Sequence, residues 1–318
     1  MASTAHVRDS VRQVDETSWI IGGKHVVRHM RGPCEGEYLW KNSTDGSYYT
    51  LSDAPATLPD TAPVSANSHV RLIHDAGDAS AVFSFGDALI LKIKLAVAGV
   101  PLEGELETLA FLAKQKLGFT IPTVLFSMTN DNKVFLIEPR LPGKRLNEAW
   151  SDLDKNEKDL VVGRVASVCL QLRTFQSGAI TAVDHNWLDP KREDDQRDYR
   201  PEALEKHCEE LGMDCSTFVL SHNDLGPTNI LVDGDKIAII DWELAGYSPL
   251  AWVRTKFAIC GVLNTESVSD DGVKRDKEYR VMVEQKLRDL GFPEVTEAYE
   301  KLEKARSEEW IKRRPWLQ

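Results

Sequence analysis

The sequence has few cysteines and no CxxC pair: Cys34, Cys169, Cys208, Cys215 and Cys260 are odd in number and scattered over 318 residues. That pattern excludes a disulfide framework or a zinc ribbon and fits a reducing compartment. Long apolar runs are missing too. The longest stretch, Ala88 to Leu102, is broken by Lys92 and Lys94, and nothing approaches the roughly 18 uninterrupted apolar residues that suggest a membrane span. Basic charge is in deficit, with 39 Lys and Arg against 50 Asp and Glu for a net charge of −11, which disfavours a nucleic-acid partner because a phosphate backbone needs a basic face. The start, MASTAHVRDSVRQVDE, has no apolar core for a secretory signal, and the end, RRPWLQ, carries no prenylation cysteine or peroxisomal tripeptide. The expectation is a cytoplasmic protein. His25 and His29 have metal-ligand spacing only on a helix, but WIIGGKHVVRHM reads as strand.

What is present is an ordinary globular composition, 42% hydrophobic and 28% charged, long enough for about two domains. From Trp19 to about Arg140 the signals are short β-branched and aromatic runs between turns. GEYLW and SYYTL flank Asn42 to Gly46 as a hairpin, and Leu51 to Ser68, with Pro55, Pro59 and Pro63, reads as an irregular connector. HVRLIH and DALILKIKL are expected to form a second hairpin, followed by a helix from Leu102 to Gly118 and by the strands TVLFSM and KVFLIEP. After Leu141-Pro142-Gly143 the character becomes helical. Lys155 to Gln176 is amphipathic, with Leu160, Val161, Val165, Val168, Leu172 and Phe175 on one stripe, and Lys274 to Leu290 and Val295 to Ile311 read as two more helices. A strand-rich half joined to a helix-rich half predicts two lobes with a ligand site in the cleft between them.

The most informative segment is FVLSHNDLGPTNILVDGDKIAIIDWELAGY, Phe218 to Tyr247. Asp224 and Asn229 lie five apart in a loop after an apolar run. The strands NILV and KIAII fold back around Asp233-Gly234 and return Asp241 close to Asn229. One acid, one amide and a second acid thus converge, an oxygen-rich set suited to hard Mg²⁺ that leaves one carboxylate for a substrate hydroxyl. H-x-D-x-x-x-x-N followed by a strand-borne Asp has the spacing of a kinase catalytic loop and its metal-binding aspartate.

On these residues the chain resembles the protein-kinase-like superfamily, and within it the aminoglycoside phosphotransferase and choline kinase branch. That branch typically reads HGDLxPxNIL and then IDWE with AG, Pro and Trp; this chain has His222 to Leu231, Ile240 to Glu243, Ala245-Gly246, Pro249 and Trp252. It departs at Asn223, where glycine is usual. The resemblance covers roughly Val70 to Cys260 and implies an α+β, bilobal protein-kinase-like fold. Its implied divisions are an N-terminal extension at 1–69, an ATP-binding N-lobe core at 70–140 and a helical C-lobe at 141–318. It also implies that Asp224 orients or deprotonates the attacking hydroxyl, that Asn229 and Asp241 hold Mg²⁺ against ATP, and that His222 braces the loop. Lys92 of Leu89-Ile90-Leu91-Lys92 is the expected phosphate-binding lysine, with Lys94 its rival. Glu105 is its expected partner, in competition with Glu103 and Glu107. Ser80, in the stretch His74 to Ala81, is expected at the phosphates, and the Glu138 carbonyl and Arg140 N–H at adenine.

Only seven residues separate Asp241 from Pro249, too few for the activation segment with which protein kinases hold a peptide. A small-molecule acceptor follows, and the acidic net charge suits a cationic one, with Asp184, Trp187, Glu243 and Trp252 as candidates to line its pocket. An aminoglycoside, a choline-like amine, a sugar or a biosynthetic intermediate all remain open. So do a nucleotide-binding scaffold without transfer and a fold reused for another reaction.

Overall fold

The computed structural model describes residues 6–32, 38–96, 104–181, 200–269 and 272–312. By contacts the chain divides into two units, one of residues 1–103 and 122–141, the other of residues 104–121 and 142–318.

The first unit is built from antiparallel strands: β1 (Val11–Gln13), β2 (Ser18–Ile21), β3 (His25–Met30), β4 (Trp40–Lys41), β5 (Tyr48–Asp53), β6 (Ala62–Pro63), β7 (Val70–Asp75), β8 (Ser80–Phe85), β9 (Leu89–Leu95), β10 (Phe126–Asn130) and β11 (Lys133–Pro139). They form two sheets, β4-β5-β3-β2-β1-β6 and β10-β11-β9-β8-β7. Trp19, Ile21, Val27 and Tyr49 from the first sheet share one buried cluster with Ala81, Phe83, Phe85, Leu89, Leu91, Ile93, Phe135 and Ile137 from the second. Because side chains alternate across a strand, that cluster takes every second residue of β8, β9 and β11. The strands of the first sheet therefore cover one face of the five-stranded sheet and leave the other to Val82, Ile90, Lys92, Lys94 and Leu136. The expected two-strand hairpin of HVRLIH and DALILKIKL is corrected here. Ser80–Phe85 forms a strand between them, and β7-β8-β9 is a meander. WIIGGKHVVRHM likewise is two strands, turning at Gly22-Gly23.

The second unit carries α1 (Gly104–Leu112), β12 (Lys144–Arg145), α2 (Leu146–Ala149), α3 (Lys155–Leu172), β13 (Gln176–Ser177), α4 (Pro201–Glu210), β14 (Phe218–Ser221), β15 (Ile230–Asp233), β16 (Lys236–Ile239), β17 (Gly246–Pro249), α5 (Leu250–Ile259), β18 (Thr265–Ser269), β19 (Gly272–Asp276), α6 (Glu278–Asp289) and α7 (Thr296–Lys312). Helix α3 starts on a capping box, Asp154 accepting from the Glu157 N–H while Glu157 accepts from the Asp154 N–H. Its buried stripe is Val161, Val162, Val165, Val168, Cys169 and Leu172; Leu160, assigned to that stripe on spacing, is 53% exposed because it sits one position off it. Two expected helices are shorter. α1 ends at Leu112, where Lys114 and Gln115 donate only three residues back, and Lys274 to Asp276 belong to β19.

Two small sheets, β12-β15-β16 and β13-β14-β17, frame the loop after β14. The chain enters the first of them at Gly143, whose φ of +110° suits only glycine and where an added Cβ would lie 2.8 Å from the Val232 carbonyl oxygen. Gly143→Ala is expected to cost about 2–4 kcal/mol, because strain at a positive φ adds to a collision with backbone that cannot yield. Chemical denaturation of the two proteins side by side measures this, and equal midpoints would contradict it.

Candidate active site

Three connections bring Asp224, Asn229 and Asp241 together. Asn229 donates its side-chain amide to both the carbonyl (2.9 Å) and the carboxylate Oδ2 (2.8 Å) of Asp224. The Ile240 N–H donates to the Asn229 carbonyl at 3.0 Å. Between these ends β15 and β16 pair from Ile230↔Ile239 to Asp233↔Lys236, the tight hairpin the sequence predicts. Asp241, next along the chain, has φ +64°. Trp242 fixes that turn. It is fully buried, its ring stacks on Phe119 and its Nε1–H donates to the Ile239 carbonyl at 2.9 Å, while its backbone N–H donates to the Glu105 carboxylate at 3.2 Å.

Both donors of the Asn229 amide are spent on Asp224, so its oxygen is the atom left to meet a cation. With the Asp241 carboxylate it makes a hard oxygen pair of the kind Mg²⁺ takes when substrate phosphates and water complete its shell, so these residues fit the ion. Among the described residues no group of three or more His, Cys, Asp or Glu could hold a metal by itself.

His222 is a brace. The Asp224 N–H donates to its Nδ1 at 3.2 Å, and Nε2 lies 3.0 Å from the Ile240 carbonyl, which assigns the proton to Nε2. Burial is the main reason its pKa falls to about 4. The Tyr279 hydroxyl of α6 supports the same loop, donating to the Leu225 carbonyl at 2.9 Å.

On the first unit Lys92 lies on β9, the middle strand of its sheet, and is buried; that position excludes an exposed edge lysine. It pairs with Val82 and Leu136, and its rival Lys94 pairs with Ser80 and Val134. Cross-strand partners share a face, so Lys92, Lys94 and Ser80 stand together on the face turned away from the core. Glu105, buried on α1, stands in the other unit from Lys92. Of its competitors Glu107 is exposed and Glu103 lies outside the described residues.

The expected adenine contacts need correction. The Arg140 N–H donates to the Ala88 carbonyl at 2.8 Å, continuing the β9–β11 ladder. By the alternation of an antiparallel ladder, the main-chain groups of Glu138 then face β9 as well, and those of Ile137 face the other way, where its carbonyl accepts from Leu125 at 2.8 Å. The outward carbonyl at this end of the strand is that of Pro139.

Of the acceptor-pocket candidates, Asp184 and Trp187 lie outside the described residues, and Glu243 is exposed. Trp252 is corrected: it is fully buried on the inner side of α5, in a cluster with Leu204, Cys208, Phe218 and Tyr299, so its ring offers no face to a ligand. Sequence reasoning missed Ser221 and Lys256, which meet Asn223, and Ser248, which meets Ser221. Only the non-glycine residue at 223 could have flagged them.

No curated protein matches the sequence. Among solved structures, the streptomycin–ATP ternary complex of APH(2″)-IIa is similar at 17% identity over 69% of this chain and 78% of that one, TM-score 0.43. The gentamicin complex of the same protein is similar at 21% identity over 74% and 80%, TM-score 0.48. The GDP and kanamycin complex of a third APH(2″) structure is similar at 15% identity over 79% and 91%, TM-score 0.48. The family described as phosphotransferase enzyme family matches residues 71–252, more than half of the sequence and all of the segment that carries Lys92, Asp224, Asn229 and Asp241. This chain, with its α+β, protein-kinase-like fold, belongs to the phosphotransferase enzyme family.

Proposed function

We propose that the protein is an ATP- and Mg²⁺-dependent kinase that moves the γ-phosphoryl group to a hydroxyl of a small molecule. The observation that carries this reading is the double donation from Asn229 to Asp224. It holds the Asp224 carboxylate in place for a hydroxyl and leaves the amide oxygen as the side-chain atom of Asn229 that can meet a cation. In this reading Asp224 accepts the hydroxyl proton as the oxygen attacks phosphorus, and Asn229 and Asp241 hold Mg²⁺, which when bound offsets the charge on the nucleotide phosphates. On the first unit the face bearing Lys92 and Ser80 is the candidate for the phosphates, and the Pro139 carbonyl is the candidate for the base. Glu105 acts by holding the Trp242 N–H, and with it the turn at Asp241.

A small acceptor is favoured because the chain passes from Asp241 to β17 within five residues and β17 runs straight into α5. No stretch remains to lay out a peptide. The net charge of −11 supports a cationic acceptor, with exposed Glu243 beside the site to meet it.

The thermal shift of the purified protein with ATP, with and without Mg²⁺, tests the reading, since a ligand bound only to the folded state raises its melting temperature. Wild type is expected to gain a metal-dependent shift of several degrees that Asp241→Ala loses. No shift at saturating ATP would direct the search away from phosphoryl transfer.

A further inference from the structure

We infer that Asn223 and Lys256 form a buried strut that sets the position of Asp224, with Lys256 a positioning residue for phosphoryl transfer; the catalytic part of this inference rests on the function proposed above. Asn223 has φ +61°, the left-handed region that asparagine tolerates better than other residues with a Cβ. This accounts for how the chain departs from the glycine usual in the motif without losing the turn. The side chain does more than tolerate the turn. Its Nδ2 donates to the Leu244 carbonyl at 2.9 Å, three residues beyond Asp241, and its Oδ1 accepts from the Ser221 hydroxyl at 2.8 Å. Ser221 is in turn 2.8 Å from the Ser248 hydroxyl on β17. The Asn223 carbonyl, which belongs to the peptide bond leading into Asp224, accepts from the Lys256 ammonium on α5.

All the side chains concerned are buried: Ser221, Asn223, Ser248 and Lys256 are each less than 8% exposed. They sit among Leu172, Leu220, Leu225, Val253, Phe257 and Leu263, beside a small cavity of about 30 Å³. A buried lysine is costly to keep unless its charge has a defined use. Here it ties α5 to the peptide bond before Asp224, while the Asn223 side chain ties the same residue to the segment after Asp241. A glycine at 223 keeps the turn and loses the second tie. The two carboxylates thus owe their relative placement to a network below the loop as well as to the hairpin beside it.

Four full-length variants decide the matter: Asn223→Gly, Asn223→Ala, Lys256→Met and Lys256→Arg. Hydrogen exchange of peptides spanning 218–232 and 240–250 is read against that of α3, and ADP release from MgATP is measured on the same proteins. Asn223→Gly and Lys256→Met are each expected to speed exchange in both segments at least tenfold and leave α3 unchanged. Turnover should fall at least tenfold, with little change in KM for ATP. Lys256→Arg should recover part of the turnover. Should Asn223→Gly behave as wild type and only Asn223→Ala be impaired, the left-handed backbone alone matters and the strut is refuted. Wild-type exchange in Lys256→Met would remove Lys256 from it. If Lys256→Met does not fold, Asn223→Gly decides the side-chain tie and Lys256→Gln replaces Lys256→Met, wild-type exchange in it removing Lys256 from the strut. A wild-type protein that neither binds nor turns over MgATP would overturn the functional reading, and the exchange comparison would still decide whether the strut orders the loop.

Discussion

Asp224→Asn is expected to lower phosphoryl transfer by roughly 10²–10⁴-fold, the range that removal of a well-placed general base produces. Nucleotide binding should survive. The substitution is nearly isosteric, and the Asn229 amide can still donate to the residue's carbonyl and to its remaining side-chain oxygen, so the loop keeps both bonds that define it. What is lost is an atom able to take a proton from an attacking hydroxyl. Asp241→Ala should differ in kind, because it removes a candidate metal ligand and so weakens binding of the nucleotide with its ion. ADP release from MgATP with the acceptor found by screening, alongside the nucleotide-induced thermal shift, separates the two. An Asp224→Asn protein with wild-type turnover would end the role assigned to that residue.

The parts of the site that could be read from sequence are those fixed by short-range geometry. Asp224 to Asn229 is a five-residue step within one loop, and Asn229 to Asp241 is one tight hairpin, so backbone chemistry alone brings them together. A β-strand alternates, so Lys92 and Lys94 were both legible on the face opposite Leu91 and Ile93; the burial of Lys92 on the middle strand was not. Readings that depended on what packs from elsewhere went astray. Ser80–Phe85 was hidden as a strand because its serines weaken the apolar signal, and it becomes obvious only once Phe83 and Phe85 are seen against Trp19 and Tyr49. Trp252 reads equally well as a cation-binding ring or as core, and the helix on which it sits turns it inward.

Pro139 marks the register of its strand. A proline has no N–H to give a ladder, so within a strand it belongs where its main-chain groups point away from the neighbour. That places the groups of Glu138 and Arg140 toward β9 and those of Pro139 outward, in agreement with the Arg140 bond to Ala88. The parity was legible in the sequence; the missing step was to treat the absent donor as a register mark. Asn223 is the reverse case, since nothing along the chain announces that Leu244 and Lys256 will converge on it from as far as 33 residues away.

Acid should destabilise this protein well above the range in which its carboxylates titrate. His222 and His207 are both buried and both held at a pKa of about 4, first by burial; for His207 the neighbouring Arg306 adds to the effect. In each case a ring nitrogen must stay bare, Nδ1 of His222 to accept from Asp224 and Nδ1 of His207 to face the Arg306 guanidinium at 3.3 Å. His29 and His69, stacked with ring centroids 4.1 Å apart, are also lowered by burial. Above pH 6.5 these histidines are neutral whether the chain is folded or not, and they leave stability unchanged. Below it the unfolded chain takes up protons that the folded chain resists, at His222 and His207 until about pH 4, so stability falls as the pH drops. For His222 the full loss is about 3 kcal/mol, from roughly 1.4 kcal/mol for each pH unit between the two values. The carboxylates with lowered values, among them Asp15, Asp45 and Glu294, start from 3.8 or 4.5 when unfolded and add their loss only below that range. Urea unfolding at pH 7.5, 6 and 5 should therefore show a midpoint that drops steadily, and His222→Gln should flatten the drop even though it lowers stability at pH 7.5. A midpoint that holds constant from pH 7.5 to 5 would mean that these rings accept protons in the folded protein as readily as in the unfolded chain, and the brace at His222 would lose its basis.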